Sequence, residues 1–401
     1  MTFTKLLTVY SAAFAVALVA WVLNIAHMYW MAGVLLLLPL AGKLFGKLEH
    51  RGVELFREMP QTGHLGDVVR VTFRAVNRIA IPKLHLCVSD LLPEGLVPME
   101  PSPVPVHLPP SGRDEASYEL RLQRRGEFRI EHAVLLSADP MGLTFVRTEI
   151  PLRSEILVYP RFTDLPPRML PPSVTGGQAP LEASGRQGEG AGFFGVREYR
   201  PGDPLRHVHW RTAARFGRLA VVEWEAEEST DALIAVETSE AGDRDLGPAR
   251  GLDLAAGMAA SLAAAVLTAG DAVRLLVPGT TDPRPAPVRG MESLPAILEA
   301  LARMRTAPEQ SLGAMLRDSA GNLTPGTLVC WITAIPDPAL GIQVLQLRES
   351  GLRPVIYALI PGAVDPAGVE EWSAVAARLE SHGIPVVRVS ADDEVARGLV
   401  S

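Results

Sequence analysis

The residues best equipped for chemistry lie between Gly192 and Glu228, in the run GFFGVREYRPGDPLRHVHWRTAARFGRLAVVEWEAEE. Arg197, Glu198, Tyr199, Arg200, Asp203, Arg206, His209, Trp210, Arg211 and Arg215 crowd into it. Seven arginines stand between positions 186 and 218, against three acids, Glu189, Glu198 and Asp203. Guanidinium groups pair with carboxylates through two parallel hydrogen bonds and stack on aromatic rings. Two arrangements therefore fit. One is an internal ion-pair lattice around Trp210, with Arg200 or Arg206 meeting Asp203 across a Pro201-Gly202 turn. The other is a docking surface for an acidic partner. They are compatible, since three acids cannot pair with all the arginines unless the Glu223–Glu228 run folds back onto them.

Other candidate chemistries are poorer. His207 and His209 share a face if the chain is extended, which suits a transition metal, yet no third ligand is evident. Gly190, Gly192 and Gly195 match G-x-G-x-x-G, but that fingerprint must leave a strand and open a helix. Here it follows a Pro-rich stretch, so a hinge is the better reading. No Ser-His-Asp, Cys-His or paired-carboxylate spacing stands out. The residues point to no catalytic group and no cofactor. Cys87 and Cys330 are the only cysteines. They sit in apolar, strand-like runs in different expected domains, which excludes a disulfide framework and a cysteine zinc site. A net charge of −7 argues against general nucleic-acid binding.

The run between Val196 and Arg215 resembles the signature of the domain-of-unknown-function-58 family, "E-F-x-x-L-R-x-Y-x-x-G-D-x-x-R-x-I-x-W-x-x-x-A-R". A second resemblance joins Arg125-Gly126-Glu127-Phe128 to Ala138-Asp139-Pro140-Met141-Gly142-Leu143 and Val158-Tyr159-Pro160-Arg161. The resemblance implies a membrane-anchored chain with a von Willebrand factor A-like C-terminal domain, working with a MoxR-type AAA+ ATPase as adaptor, chaperone component or assembly factor. Such a domain usually carries Asp-x-Ser-x-Ser for Mg²⁺ at the end of its first strand. The matching run here is Glu237-Thr238-Ser239-Glu240-Ala241, with Asp337 as the later acid. Glutamate for aspartate, and Ala241 for serine, leave Glu237, Ser239 and Asp337 as a degenerate set, because Mg²⁺ demands near-ideal octahedral geometry. Two readings compete with the adaptor: a metal-dependent adhesion-type protein, and a hydrolase built on the signature.

The chain of 401 residues has room for several cores. Residues 6–42 contain no Asp, Glu, Lys or Arg. About 20 apolar residues cross a bilayer, so this stretch fits two helices, about Leu6–Leu23 and Ile25–Gly42, with a turn at Asn24–His27. Lys5, Lys43, Lys47 and Arg51 flank the pair and place both ends in the cytoplasm, at an inner membrane. A signal peptide has a shorter apolar core. Residues 49–162 read as a β-sandwich. Val69, Val71, Phe73 and Ala75 alternate with Arg70, Thr72 and Arg74, and Tyr118, Leu120 and Leu122 with Glu119, Arg121 and Gln123. Prolines from 93 to 110 break the middle into loops. A Pro/Gly-rich linker is expected over 163–192 and the signature over 193–229. From 230 to 401, strands alternating with helices predict a doubly wound parallel sheet. The helix over Ala249–Ala269 is Ala-rich.

Overall fold

A computed structural model describes residues 2–100, 102–170, 187–198, 210, 219–225, 231–238, 250–278, 286–307, 311–337, 339–360, 366–390 and 399. The chain divides into two compact units, residues 1–161 (with 298–303 and 400–401) and residues 162–297 with 304–399.

The first unit begins with α1 (Thr2–Leu23) and α2 (Ala26–His50), packed together as a hairpin. Asn24 turns the chain with φ of 47°, a left-handed conformation that Asn tolerates. Both helices are long and apolar enough to cross a membrane. α2 runs past Gly42 to His50, beyond the expected end. Lys43 and Lys47 close the charge-free stretch, but a lysine does not stop a helix. The extra turns lie on the β part of the unit. A Cβ on Gly42 would come 2.6 Å from Thr144 Oγ1, and one on Gly46 2.5 Å from Val146 Cγ2. These two glycines, one turn apart, let the helix backbone approach the strands. Lys83, wholly buried, donates to the Leu48 carbonyl at the helix C-terminus, where a cation is favoured. Burial lowers the pKa of Lys83, and nearby Glu49 opposes that shift.

Nine strands follow: β1 (Val53–Glu58), β2 (Thr62–His64), β3 (Val68–Asn77), β4 (Lys83–Asp90), β5 (Leu96–Pro98), β6 (Val104–Leu108), β7 (Arg113–Leu122), β8 (Gly126–Ala138) and β9 (Phe145–Tyr159). They form two sheets, ordered β1-β3-β7-β5 and β2-β9-β8-β4-β6. The sheets share one core. Val71, Phe73 and Ala75 of β3 enter it beside Tyr118, Leu120 and Leu122 of β7, the alternation read from the sequence. The proline-rich middle differs from expectation. β5 and β6 form there, both at sheet edges, where a residue without an N–H leaves no ladder bond unmade.

In the second unit, Thr163–Met169 is not the loose linker expected. Leu165 and Met169 are buried. Thr163 N donates to Ser261 Oγ at 3.1 Å, and Tyr357 Oη to the Met169 carbonyl at 3.0 Å. The linker also ends early, since β10 (Gln187–Glu198) already pairs antiparallel with β11 (Ala220–Glu225). The chain's remaining elements are β12 (Ala232–Val236), α3 (Arg250–Thr268), β13 (Val273–Leu276), α4 (Leu294–Arg303), α5 (Leu312–Ala320), β14 (Leu328–Thr333), α6 (Leu340–Glu349), β15 (Arg353–Ile360), α7 (Pro366–Ser381) and β16 (Val386–Ser390). β12 to β16 make an all-parallel sheet in the order β13-β12-β14-β15-β16. Every residue of β12 and β14 is buried, as expected where helices cover both faces. An antiparallel bridge from Val288 to Val273 adds to the sheet at its β13 edge.

Candidate functional site

The signature starts on the β10–β11 ribbon. Arg197 pairs in register with Val221 and Glu198 with Ala220. Further back the register slips: both Gly188 and Phe193 oppose Trp224. The inserted residues form a bulge, and Gly190 and Gly192 suit the backbone bend there. The formal G-x-G-x-x-G therefore lies inside a strand, not at a strand-to-helix turn. Glu223 and Glu225 alternate with Val222 and Trp224 along β11, as expected for a strand. Trp210 is 64% exposed. Tyr199, Arg200, Asp203, Arg206, His207, His209, Arg211 and Arg215 lie outside the described residues, and so does the expected ion-pair lattice.

A second candidate lies at the C-terminal edge of the parallel sheet. β12 has β13 on one side and β14 on the other, so the crossovers change direction between β12 and β14. Ligands of open α/β sheets bind beyond the strand ends at such a switch point. Glu237 N donates to the Ile332 carbonyl at 2.8 Å, tying the two strand ends together. Thr238 follows; it is 1% exposed, and among the described residues its hydroxyl has no partner. Its carbonyl accepts from Ala307 N at 3.0 Å. Across the edge, Thr333 Oγ1 accepts from Ile335 N at 3.1 Å. Asp337 is exposed, and its Oδ1 accepts from Ala339 N at 2.8 Å at the entry to α6. That bond closes a local turn just before α6. Ser239 lies outside the described residues. Among the described residues, no three His, Cys, Asp or Glu side chains are grouped to hold a metal ion.

Sequence reasoning missed a buried ionic network in the first unit. Arg57 and Asp90 form an ion pair with both side chains fully buried. Tyr118 Oη donates to Asp90 Oδ2 at 2.6 Å. Arg57 also donates to the Leu152 carbonyl at 2.8 Å and to Ser154 Oγ at 3.1 Å. Arg57 and Tyr118 come from one sheet; Asp90, Leu152 and Ser154 come from the other. Burial pushes the Asp90 carboxyl up, against the pull of Arg57 and Tyr118. Tyr118 is raised well above its ordinary range, chiefly by burial and then by the Asp90 charge. Nothing local marks these residues, which lie far apart in sequence. The Cys330 thiol, on β14, is likewise pushed up to about 12 by burial, with a hydrogen bond to Tyr357 opposing.

The upstream motif Ala138–Leu143 forms the turn between β8 and β9. Gly142 takes φ of +63°, which an L side chain rarely adopts. Asp139 organises the turn: Oδ1 accepts from Met141 N at 2.9 Å, and Oδ2 accepts from Thr144 N and from Thr144 Oγ1 at 2.7 Å. Burial alone would raise this carboxyl, but the bonds from Thr144, Leu143 and Met141 outweigh it and hold the pKa low. The signal was present as Asp-Pro-x-Gly, a turn sequence.

Residues 195–324 match the model of the family described as "Protein of unknown function DUF58". This stretch of the chain is similar to that family. The DUF58 match begins in β10, spans the signature and ends beyond α5. A relative, "Uncharacterized protein YeaD" of Bacillus subtilis (strain 168), is 26% identical over 236 residues, 56% of each chain. The chain thus spans about half the length of that curated relative. Among solved structures, an alpha-2-macroglobulin from Escherichia coli aligns at 26% identity over 28% of this chain and 17% of its own, with a TM-score of 0.23. The cupredoxin domain of amoB from Nitrosocaldus yellowstonii aligns at 17% identity over 29% of this chain and 92% of its own, with a TM-score of 0.20. Neither score is high enough to carry an argument about fold or function.

Proposed function

We propose that this protein is a membrane-anchored interaction protein without an active site of its own, acting as adaptor or assembly factor with a MoxR-type AAA+ ATPase. The anchor is the α1–α2 hairpin at the inner membrane, with both units in the cytoplasm. The first unit is a β-sandwich. The second is von Willebrand factor A-like, a reading favoured by its all-parallel sheet with an antiparallel bridge at the β13 edge. The observation that carries the interaction reading is Trp210: a large aromatic 64% exposed within an arginine-rich segment. Trp and Arg dominate the energetic centres of protein interfaces.

The test is co-purification of the full chain with a MoxR-type AAA+ ATPase. Arg206→Glu and Trp210→Ala should each cut recovery at least tenfold while the thermal midpoint stays in place. Wild-type association should weaken as salt rises, because exposed charges are screened. Unchanged recovery for Trp210→Ala and for charge reversals at Arg197, Arg206 and Arg211, in folded protein, removes the proposal's support. A metal-dependent adhesion reading draws on the buried Thr238 hydroxyl at the switch point, which has no partner among the described residues. Calorimetric Mg²⁺ binding at sub-millimolar concentration, lost in Ser239→Ala, would establish that reading instead.

A further inference from the structure

The β8–β9 turn leaves two large apolar side chains in the open. Met141 is 63% exposed and Phe145 57%. The turn is fixed in place from three sides. Asp139 binds the backbone of Met141 and Thr144, as described above. The Gly142 carbonyl accepts from Lys5 Nζ at 3.3 Å, at the start of α1. Thr144 abuts Gly42, the last residue of the charge-free stretch. Gly42 lies 18 residues along from the Asn24 turn, a rise of about 27 Å at 1.5 Å per residue. The hydrocarbon of a bilayer is about 30 Å thick. Lys5 and Gly42 thus mark one depth, the boundary between acyl chains and headgroups, and the turn is held at that depth. Lys5, Lys43, Lys47 and Arg51 are the basic residues nearest this level along the helices. Exposed apolar side chains beside lysines are the composition that seats a protein in an anionic interface.

Resting on the reading that α1 and α2 cross a membrane, we propose that the β8–β9 turn is a lipid-binding foot. Met141 and Phe145 insert into the interfacial layer of the leaflet where α1 begins and α2 emerges, and anionic headgroups collect around the lysines. This gives the Asp-Pro-Met-Gly motif a task separate from the signature. Asp139 is a positioning residue: it sets the turn that presents Met141, and touches no lipid itself.

The experiment uses full-length protein in vesicles of phosphatidylcholine and phosphatidylglycerol, with no other protein present. Cys87→Ala removes one thiol. Cys330 is fully buried, its thiol in the neutral form, and stays unlabelled. Single nitroxides are placed through Met141→Cys or Phe145→Cys. Phe14→Cys in mid-α1 and Glu115→Cys on β7 serve as references. Power saturation compares collision with oxygen, concentrated in lipid, and with a nickel chelate, confined to water. Both turn sites should show at least threefold less nickel collision than position 115, and a depth shallower than position 14. If position 14 is deep while either turn site is as open to nickel as position 115, the foot is overturned and the membrane reading stands. If position 14 is itself open to nickel, the membrane reading falls and the foot with it.

Discussion

α2 and α3 reach the same mean hydropathy over a membrane-length window, yet 17% of that window is buried in α2 and 78% in α3. Composition separates them where hydropathy does not. α2 carries its apolarity on large side chains, including Leu36, Leu37 and Leu40, all exposed. α3 carries it on small ones: Ala255, Ala256, Ala259, Ala260 and Ala263 are buried, with Met258, Leu262 and Val266 between them. Small side chains let a helix lie close on a sheet that is apolar throughout, and β12 and β14 offer such a sheet. Large side chains all around a helix need a solvent that is itself apolar. The two helices show that apolar length alone does not assign a segment to lipid. What packs against it decides.

The largest effect that would sharpen this contrast is a charge in each helix. Ala259→Lys places an unpaired ammonium in the second unit's core and should cost more than about 5 kcal/mol, seen as loss of its cooperative unfolding transition in detergent. Leu36→Lys in α2 should leave that transition alone and oppose membrane integration by about 3 kcal/mol, read as extraction by carbonate. Equal effects on both readouts would erase the distinction.

Next is Asp90→Ala. It strands Arg57 between the sheets of the first unit and should lower stability by about 3–5 kcal/mol in urea unfolding. The double variant Arg57→Met with Asp90→Leu should recover most of that loss; no recovery would mean that the network contributes through more than the ion pair.

Gly46→Val is expected to cost about 1–3 kcal/mol by overpacking against Val146, and to raise hydrogen exchange in the last turns of α2 while the turns nearer Asn24 keep their protection. Uniform exchange along the helix would show that the close approach does not hold it.

The smallest effect is the pH dependence of the β8–β9 turn. The folded pKa of Asp139 is held below its unfolded value of about 3.9. Its stabilising contribution is therefore complete above that value and disappears as pH falls through the lower folded pKa. Asp139→Asn should flatten the fall in thermal midpoint below pH 4. An unchanged acid limb would show that the turn does not depend on this charge.

Much of this fold was readable before any coordinates. Alternation at Val71, Phe73 and Ala75 named a half-buried strand, and strand–helix alternation from residue 230 named a parallel sheet. What escaped detection depended on partners distant in sequence. β10 begins at Gln187 inside a glycine-rich stretch that reads as a hinge, because only β11 some 30 residues later holds it extended. β5 and β6 tolerate prolines because they lie at edges, and edge position is a property of the sheet. Arg57, Asp90 and Tyr118 look like ordinary members of three strands until two sheets bring them together. At the candidate site, the Glu237–Ala241 run was legible, but the bond from Ala339 N to Asp337 Oδ1 was not, since it follows from the turn the chain makes before α6.

The close seat of Gly42 and Gly46 has a mechanical consequence. At these two positions no α2 side chain separates the helix backbone from Thr144 and Val146, so helix and β part meet there without a compliant layer. Should α2 cross a bilayer that thins, the helix would tilt and carry with it the strands packed on Gly46. The first unit would then convert membrane thickness into an angle.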